Sequence, residues 1–375
     1  MTEKAPLQTD ALAVGYNKKI IVDGLTLSVS AGEICTLIGP NGAGKSTVLK
    51  TVAAQLPAVS GNIALCGNDL NTLREKDVSK RLSVLLTQKI TAERMTCGDV
   101  AETGRYPYTG TLGILTAEDK RIVREAMSLV GAEHLYDTDF REISDGQRQC
   151  VMLARAIAQQ PKIMLLDEPT SFLDIGHKLH ILTLLRRLAK ERQIAVIQSL
   201  HELDLAQKFS DTVICIRSGK ADRAGTPEEI FSGDYISALY GIESGTYDPR
   251  YGTAEPAPVS GEPEVFVIGG GGTGIPVYRR LHRMGIPFAA GILHENDLEY
   301  PVAAASASVV ITEKAFEPIG AETVRNAISV MNTCNRVICS VTDFREINRA
   351  NETLLQKARA AEKCIPAEKI PALRK

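Results

Sequence analysis

The segment GPNGAGKST, residues 39–47, constrains the fold of this chain more than any other stretch. It fits the pattern G-x-x-x-x-G-K-[ST], with Gly39, Gly44, Lys45 and Ser46 at the fixed positions. The apolar run EICTLI precedes it and the apolar-periodic segment STVLKTVAAQL follows it, which predicts the order strand, loop, helix. Backbone N–H groups of such a loop point inward, and the helix dipole favours an anion there. The segment therefore predicts a triphosphate-binding loop in an α/β fold.

The side chains of this loop have predictable roles. Lys45 supplies the positive charge that neutralises the β- and γ-phosphates of ATP, and the Ser46 hydroxyl is suited to bind Mg²⁺. We expect the nucleotide to contact the whole loop, which consists of Gly39, Pro40, Asn41, Gly42, Ala43, Gly44, Lys45, Ser46 and Thr47.

A second motif, KIMLLDEPT, ends an apolar run with two acidic residues. Asp167 lies at the carboxyl end of the predicted strand, where a carboxylate can hold Mg²⁺ through water. It would lie beside the glycine loop if the two strands are neighbours. Glu168 is placed to accept a proton from an attacking water.

Composition and charge exclude several classes of protein. The 375 residues are 44% hydrophobic and 23% charged, which is ordinary for two or three packed globular domains. The net charge is -2, so no whole-protein basic field exists and we expect no nucleic-acid partner. No apolar run approaches about 18 residues, and the N-terminus has no apolar signal core, so we expect a cytoplasmic chain without a membrane span.

A stretch with four prolines and no apolar periodicity, residues 245–263, predicts a linker that neither a helix nor a central strand crosses. Residues 1–244 alternate strand-like and helical segments, which predicts a mainly parallel sheet with crossover helices. Residues 264–375 alternate more regularly and predict a small doubly wound, Rossmann-like domain.

The peptide EISDGQRQ lies between the two phosphate motifs, in front of an apolar-periodic helix. It resembles the LSGGQ signature of ABC-type ATPases, with Asp145 where that family most often has glycine. Other family elements follow in the family's order, and the resemblance covers about residues 7–243. The matching positions are the adenine-stacking Tyr16, the Q-loop residue Gln88, the signature residues Ser144, Gly146 and Gln147, the D-loop residue Asp174 and the switch residue His201.

The resemblance implies an α/β nucleotide-binding domain with a helical subdomain at about residues 89–158, and two copies that sandwich two ATP molecules head to tail. The implied catalytic residues are Lys45, Gln88, Glu168 and His201, and the implied Mg²⁺ ligands are Ser46, Gln88 and Asp167. Each copy would contact its partner's ATP through Ser144, Asp145, Gly146, Gln147 and Asp174. Arg148 is close enough in sequence to pair with Asp145, which would keep that carboxylate away from the phosphates.

The spacing of GRYP after Gln88 and the peptide DEPTSFLDIGHKLHIL resemble the corresponding segments in ATPase subunits of importers for iron-siderophore, haem and cobalamin. That similarity implies a separate membrane permease, an extracytoplasmic substrate-binding protein and a peripheral position on the cytoplasmic face of the membrane. A soluble ABC ATPase that acts on DNA or ribosomes is the alternative. One ATPase unit without sustained heptads favours the importer.

The C-terminal domain contains a second glycine-rich segment, EVFVIGGGGTG. Gly269, Gly271 and Gly274 fit G-x-G-x-x-G between a predicted strand and a predicted helix, and Glu295 follows 21 residues after Gly274, where a ribose-binding acid is expected. The pattern predicts a second site for an unidentified nucleotide and a regulatory or nucleotide-sensing role. A dimerisation domain that retains only the fold is the alternative.

Overall fold

The computed structural model describes residues 4–86, 94–110 and 113–369. The chain divides into two compact units, Met1–Tyr240 and Gly241–Lys375. The boundary follows Tyr240, close to the predicted domain end at residue 244. Among the helices in the described ranges, none is both long and apolar enough to span a bilayer.

The first unit, where the structure describes it, is built on a sheet of ten strands in the order β5-β4-β1-β2-β10-β9-β3-β8-β7-β6. The strands are β1 (Leu7–Tyr16), β2 (Lys19–Val29), β3 (Ile34–Ile38), β4 (Ser60–Leu65), β5 (Asn68–Asp69), β6 (Leu82–Leu85), β7 (Ile163–Asp167), β8 (Ala195–Ser199), β9 (Thr212–Arg217) and β10 (Lys220–Gly225). Neighbours from β9 to β6 are parallel, whereas β1, β2, β4 and β5 pair antiparallel. Strands β3, β7 and β8 are buried along their whole length, as their continuous apolar runs predict.

Helices cover this sheet and form a separate layer beside it. They are α1 (Lys45–Val52), α2 (Glu75–Arg81), α3 (Cys97–Glu102), α4 (Ala117–Leu129), α5 (Asp145–Ala158), α6 (Ile175–Arg192), α7 (Leu203–Phe209), α8 (Pro227–Ile230) and α9 (Tyr235–Tyr240). Short 3-10 segments add Leu70–Thr72, Thr103–Tyr108 and Glu133–Leu135. The N-termini of α3, α4 and α5 are fixed by capping boxes, in which the N-cap and the third residue of the helix bond reciprocally.

Helices α3, α4 and α5 occupy the region predicted as the helical subdomain, and one buried cation ties them together. Arg105 is in the 3-10 segment, and its Nε lies 2.9 Å from Oδ1 of Asp119 at the start of α4. The same guanidinium donates to the carbonyl oxygen of Ala158, the last residue of α5, at 2.8 Å. A buried guanidinium with these partners is satisfied, and removing Asp119 would leave a costly unpaired charge.

The second unit contains a parallel sheet and a separate hairpin. Its strands are β11 (Gly245–Asp248), β12 (Thr253–Pro256), β13 (Val265–Ile268), β14 (Phe288–His294), β15 (Val309–Glu313), β16 (Arg336–Cys339) and β17 (Cys364–Ile365). Its helices are α10 (Ile275–Arg283), α11 (Tyr300–Ser306), α12 (Ala321–Thr333) and α13 (Arg349–Ala360), with a 3-10 turn at Glu346–Asn348.

In the described residues of this unit, five parallel strands follow the order β15-β14-β13-β16-β17. Alternate residues of β13 point to opposite faces of the sheet. Val265 and Val267 join the apolar core that includes α10 and α11, whereas Phe266 and Ile268 join the core that includes α12 and α13. Helices therefore cover both faces, which is a doubly wound arrangement.

The predicted linker, residues 245–263, contains the antiparallel hairpin of β11 and β12. The prolines of this stretch do not prevent the hairpin, because a two-stranded ribbon has only edge positions and Pro256 ends its strand. Tyr247 is buried and Glu255 forms an ion pair with Arg279 on α10. The sequence does not predict this hairpin.

Candidate active site

The phosphate loop, Gly39 to Thr47, connects β3 to α1 and needs glycine for two reasons. Gly39, Gly42 and Gly44 have φ values of 145°, 78° and 107°, a region that other residues rarely adopt. A Cβ atom would also lie 2.2 Å from the carbonyl oxygen of Ile216 if placed on Gly39, and 2.5 Å from Cγ2 of Val22 if placed on Gly44. The loop is therefore packed tightly against β9 and β2.

Lys45 begins α1 and directs its ammonium group back into the loop. The side chain is only 6% exposed, and Nζ donates to the carbonyl oxygens of Gly39 at 2.6 Å and Pro40 at 3.2 Å. Burial lowers the pKa of Lys45, while Glu168 and Asp167 act in the opposite direction. A cation is thus held inside the loop with carboxylates nearby.

The strand that carries Asp167 is not a neighbour of the strand that precedes the phosphate loop. Strand β8 lies between β7 and β3, and its Ser199 is in register with Asp167 on one side and Leu37 on the other. The condition under which Asp167 was expected beside the glycine loop, that the two strands are neighbours, is therefore not met. Apolar periodicity predicts a strand but not its place in the sheet. Strand β8, which carries Ser199, therefore separates the strand of Asp167 from the strand that leads to the phosphate loop.

Ser199 connects the two acidic residues of β7 and its following turn. Its Oγ donates to Oδ1 of Asp167 at 2.7 Å and accepts the N–H of Glu168 at 3.1 Å. Ser199 and Asp167 are both buried, and Glu168 has a left-handed φ of 53°. The serine therefore holds the turn that aims the Glu168 side chain.

The Glu168 carboxylate lies between a serine and a histidine. Ser171 Oγ donates to its Oε2 at 2.9 Å, and His201 Nε2 lies 2.6 Å from its Oε1. His201 follows β8, so the parallel strands β7 and β8 bring the two side chains to the same edge of the sheet. The predicted base and the predicted switch histidine are in direct contact.

We expect Ser199→Ala to lower the ATP turnover number about 10-fold and to raise the Mg²⁺ concentration for half-maximal activity. The change removes the hydrogen bond that Ser199 donates to the buried Asp167 carboxylate and the one that it accepts from the partly buried N–H of Glu168. A typical hydrogen bond contributes about 0.5–1.5 kcal/mol. Steady-state rates across a Mg²⁺ titration measure the effect. The matched control is Ser210→Ala, another buried serine, whose Oγ donates to Thr36 Oγ1 at 2.6 Å. A loss of melting temperature without a shift in the Mg²⁺ titration would contradict a positioning role for Ser199.

The signature peptide begins α5. Ser144 is the N-cap, and its Oγ accepts the N–H of Gln147 at 3.2 Å while Gln147 Oε1 accepts the N–H of Ser144 at 2.9 Å. Arg148 lies 2.5 Å from Oδ1 of Asp145, as the sequence predicts. A Cβ atom on Gly146 would lie 3.2 Å from the carbonyl oxygen of Phe172, so the start of α5 lies against the D-loop of its own chain.

The remaining predicted residues of the first unit have different surroundings. Asp174 is the N-cap of α6, and its two carboxylate oxygens lie 2.9 Å from the N–H and from Nδ1 of His177. Tyr16 ends β1 at a tight turn and is 42% exposed, which suits stacking on a base. Gln88 lies outside the described residues.

The sequence analysis assigns no role of their own to Ser199, Ser171 and Gln149. Gln149 is on α5, and its Nε2 donates to the carbonyl oxygen of Glu168 at 3.2 Å. It links the signature helix to the turn that carries the predicted base, within one chain. Gln149 lies within EISDGQRQ and Ser171 within DEPTSFLDIGHKLHIL, but neither is among the positions that the family resemblance selects. Ser199 lies two residues before His201, in a strand whose apolar run does not set it apart.

The structure does not bring Glu295 together with the three glycines of the predicted second nucleotide site. Gly269, Gly271 and Gly274 lie in one loop between β13 and α10. Glu295 follows β14, is exposed, and donates its N–H to the carbonyl oxygen of Glu313 at 3.0 Å. The loop N–H groups bind two other carboxylates, Asp297 and Glu299.

Comparison with known proteins agrees with this geometry. A family model described as ABC transporter matches residues 22–171, and one described as MJ0874 family matches residues 288–370. An uncharacterized ABC transporter ATP-binding protein of Methanocaldococcus jannaschii is 42% identical over 277 residues, which cover 73% of this chain and 95% of that protein. The chain belongs to the ABC transporter ATP-binding family. It is accordingly an ABC-type ATP hydrolase.

Other members of the ABC family are also similar to this chain. An iron(3+)-hydroxamate import ATP-binding protein of Bacillus subtilis is 36% identical over 65% of this chain and 91% of its own length. A cobalamin import ATP-binding protein of Halobacterium salinarum is 33% identical over 76% of this chain and 72% of its own length. The ATP-binding cassette MJ0796, solved as a dimer with ADP and Pi, has a TM-score of 0.54 at 23% identity over 59% of this chain and 99% of its own, which supports the fold.

Proposed function

We propose that this ABC ATPase energises the uptake of an iron-siderophore, haem or cobalamin-type substrate through a separate membrane permease. The names of the iron-hydroxamate and cobalamin relatives support the substrate class. The observation that carries the proposal is that Lys45, Glu168 and His201 are positioned for hydrolysis on the same unit that has a polar cleft beside the helical subdomain.

ATP hydrolysis in this proposal uses the side chains that converge at the carboxyl edge of the sheet. Lys45 holds the terminal phosphates, and Glu168 accepts the proton of the attacking water as the new bond to the γ-phosphorus forms. The bond to the bridging oxygen breaks and ADP leaves with the electron pair. His201, in contact with Glu168, lies where it can orient the water and contact the γ-phosphate. Catalysis then consists of positioning and charge stabilisation.

The residues present fit a magnesium ion. Ser46 is the second residue of α1, next to the loop, and the buried Asp167 carboxylate is oriented by Ser199, so hydroxyl and carboxylate oxygens of the kind that Mg²⁺ prefers are available. Bound there with Gln88, the ion would neutralise the charge of the β- and γ-phosphates. The protein's own part is to hold Asp167 in one orientation.

We also infer that a second copy of the chain completes each ATP site. Ser144, Gly146 and Asp174 line one cleft of about 660 Å³ at the N-terminus of α5. The dipole of α5 favours an anion at this end. The Asp145–Arg148 pair neutralises the extra carboxylate of this signature peptide, which reduces its repulsion of a phosphate. Asp145, Gln147 and Asp174 remain predicted contacts to the partner's ATP.

The proposed permease contact is a cleft of about 770 Å³ between the sheet and the helical subdomain. The GRYP segment supplies Gly104, Tyr106 and Pro107 to its wall, and α2 supplies Glu75 and Lys76. Because the buried Arg105–Asp119 pair fixes this segment to α4, force on the cleft would reach α5 and its signature peptide. Docking here would hold the chain at the cytoplasmic face of the membrane, and a substrate-binding protein would act on the other side.

We expect Tyr106→Glu to weaken the association with the permease at least 10-fold while basal ATP hydrolysis stays within about twofold. Tyr106 is 56% exposed, lines the cleft and is not among the residues assigned to ATP binding or hydrolysis, so we expect a charge there to act on docking. Copurification with the coexpressed multi-span permease measures the effect. Ile114→Glu, an exposed apolar residue outside that cleft, is the control. Equal capture of Tyr106→Glu and the native protein would exclude this contact, and ribosome capture would favour a non-transport role.

For the C-terminal unit we propose a regulatory role in the transport cycle. The sequence offers nucleotide sensing as one form of this role. The internal contacts of its glycine-rich loop favour a form that does not depend on a nucleotide.

A further inference from the structure

The second glycine loop, Gly269 to Gly274, is filled by a side chain of its own unit. Glu299 is wholly buried, and its Oε1 accepts the N–H groups of Gly270 and Gly274, each at 2.7 Å. Its Oε2 accepts the hydroxyl of Tyr278 at 2.7 Å. These contacts satisfy both oxygens of a carboxylate that would otherwise be costly to bury.

A second carboxylate takes the next N–H group of the loop. Asp297 accepts the N–H of Gly271, with oxygen distances of 3.1 and 3.0 Å, and it also accepts the N–H of Glu299 at 2.9 Å. The N–H of Thr273 donates to the carbonyl oxygen of Gly270 at 3.3 Å. The N–H groups of Gly270, Gly271, Thr273 and Gly274, which would otherwise face a pyrophosphate group in a dinucleotide-binding loop, are therefore already engaged.

The glycines of the motif are explained by these internal contacts alone. A Cβ atom on Gly269 or on Gly274 would lie 2.3 Å from Oε2 of Glu299 and within 2.7 Å of the Tyr278 hydroxyl oxygen. Gly271 has a φ of 64°, which glycine adopts without strain. The first and third glycines thus admit Glu299, and the second shapes the turn, without any ligand.

The two glycine loops of the chain enclose charges of opposite sign. The phosphate loop of the first unit encloses the ammonium group of Lys45, which attracts a phosphate. The second loop encloses Glu299, and a phosphate at that place would meet a carboxylate in a buried site of low dielectric constant. Burial and the neighbouring Glu299 carboxylate raise the pKa of Tyr278 well above its usual range, so its hydroxyl remains a donor.

We propose that Glu299 is a built-in ligand of the second glycine loop, occupies the position of a phosphate group, and excludes dinucleotides from it. Here the glycine-rich loop after β13 is joined by hydrogen bonds to Asp297 and Glu299 in the turn before α11. The C-terminal unit then does not sense a nucleotide at this loop.

Isothermal titration of the full-length protein with NAD⁺ tests the exclusion directly, since NAD⁺ is a dinucleotide of the class that the G-x-G-x-x-G pattern predicts. We expect no binding up to millimolar NAD⁺, either for the native protein or for Glu295→Ala, which alters the acid that the motif spacing selects. Micromolar binding that Glu295→Ala or Gly271→Ala weakens 10-fold or more would overturn the proposal.

Chemical rescue tests whether the loop needs an internal anion. Glu299→Ala should lower the melting temperature of the C-terminal unit by about 10 °C, because three hydrogen-bond donors lose their acceptor. Formate should restore at least half of this loss, relative to chloride at equal ionic strength, by binding the emptied loop. Formate should not stabilise the native protein or Glu295→Ala.

Equal effects of formate and chloride on Glu299→Ala would overturn the internal-ligand role. If that variant does not fold, Glu299→Gln replaces it. Glutamine keeps one acceptor oxygen, so a smaller loss of melting temperature is expected, and an unchanged melting temperature would contradict the proposal.

Discussion

Glu168→Gln should bind ATP as tightly as the native protein and hydrolyse it about 10²–10⁴ times more slowly. Glutamine preserves the size of the side chain and an acceptor oxygen for the Ser171 hydroxyl. It cannot accept the proton that the attacking water loses. ATP should therefore remain bound. If two copies enclose two ATP molecules as proposed, the closed pair should accumulate, because the ATP that joins the two copies is not consumed.

Phosphate release at saturating Mg-ATP measures turnover, and light scattering with and without ATP measures the dimer. The matched control is Glu191→Gln, an exposed glutamate on α6. It should hydrolyse ATP at the native rate and show no ATP-dependent dimer accumulation beyond that of the native protein. Near-native turnover of Glu168→Gln would remove Glu168 from the role of base and shift attention to its neighbour His201.

Sequence patterns were sufficient for the parts of the fold that depend on local chain chemistry. The phosphate loop between β3 and α1 has the predicted strand and helix on either side, since its glycines, its lysine and the flanking apolar periods are contiguous. The pairing of Asp145 with Arg148 is also local, because residues three apart on a helix face each other.

Strand order was beyond sequence reasoning, and it decides how the active site is built. The insertion of β8 between β3 and β7 places Ser199 against Asp167 and Glu168. Apolar runs such as IMLLD and AVIQS predict buried strands but contain no information about which strands pair. Ser199 therefore had no motif to mark it, although its contacts are as close as those of the predicted residues.

The C-terminal loop shows a different limit. The spacing after Gly274 selects Glu295 as the acid of a nucleotide site, whereas the acid that reaches the loop is Glu299, four residues later. The short turn after β14 directs Glu299 inward and leaves Glu295 exposed. A G-x-G-x-x-G pattern fixes the backbone shape of a loop, and the occupant of that loop depends on side chains that the pattern does not include.

Lys45→Ala should weaken ATP binding about 100-fold and abolish measurable turnover at millimolar ATP. The variant removes the one charge that the phosphate loop encloses, and truncating a buried charged partner costs about 2–5 kcal/mol of binding energy. Fluorescence titration with a labelled ATP analogue measures the affinity. Lys50→Ala, on the other end of the same helix, is the control and should bind normally. Native affinity in Lys45→Ala would refute the assignment of the loop as the triphosphate site.

The pH dependence of ATP affinity should also depend on the charge of Lys45. Because burial lowers the pKa of Lys45, the ATP-free protein loses this charge at a lower pH than an exposed lysine does. Affinity should therefore fall as pH rises through the lowered pKa, while Lys45→Arg stays charged and should show no such decline. The hydroxyl of Tyr240, which accepts the N–H of Gly39, has a pKa raised to about 12 by burial and does not titrate in this range. A decline of equal slope in Lys45→Arg would assign the titration to another group.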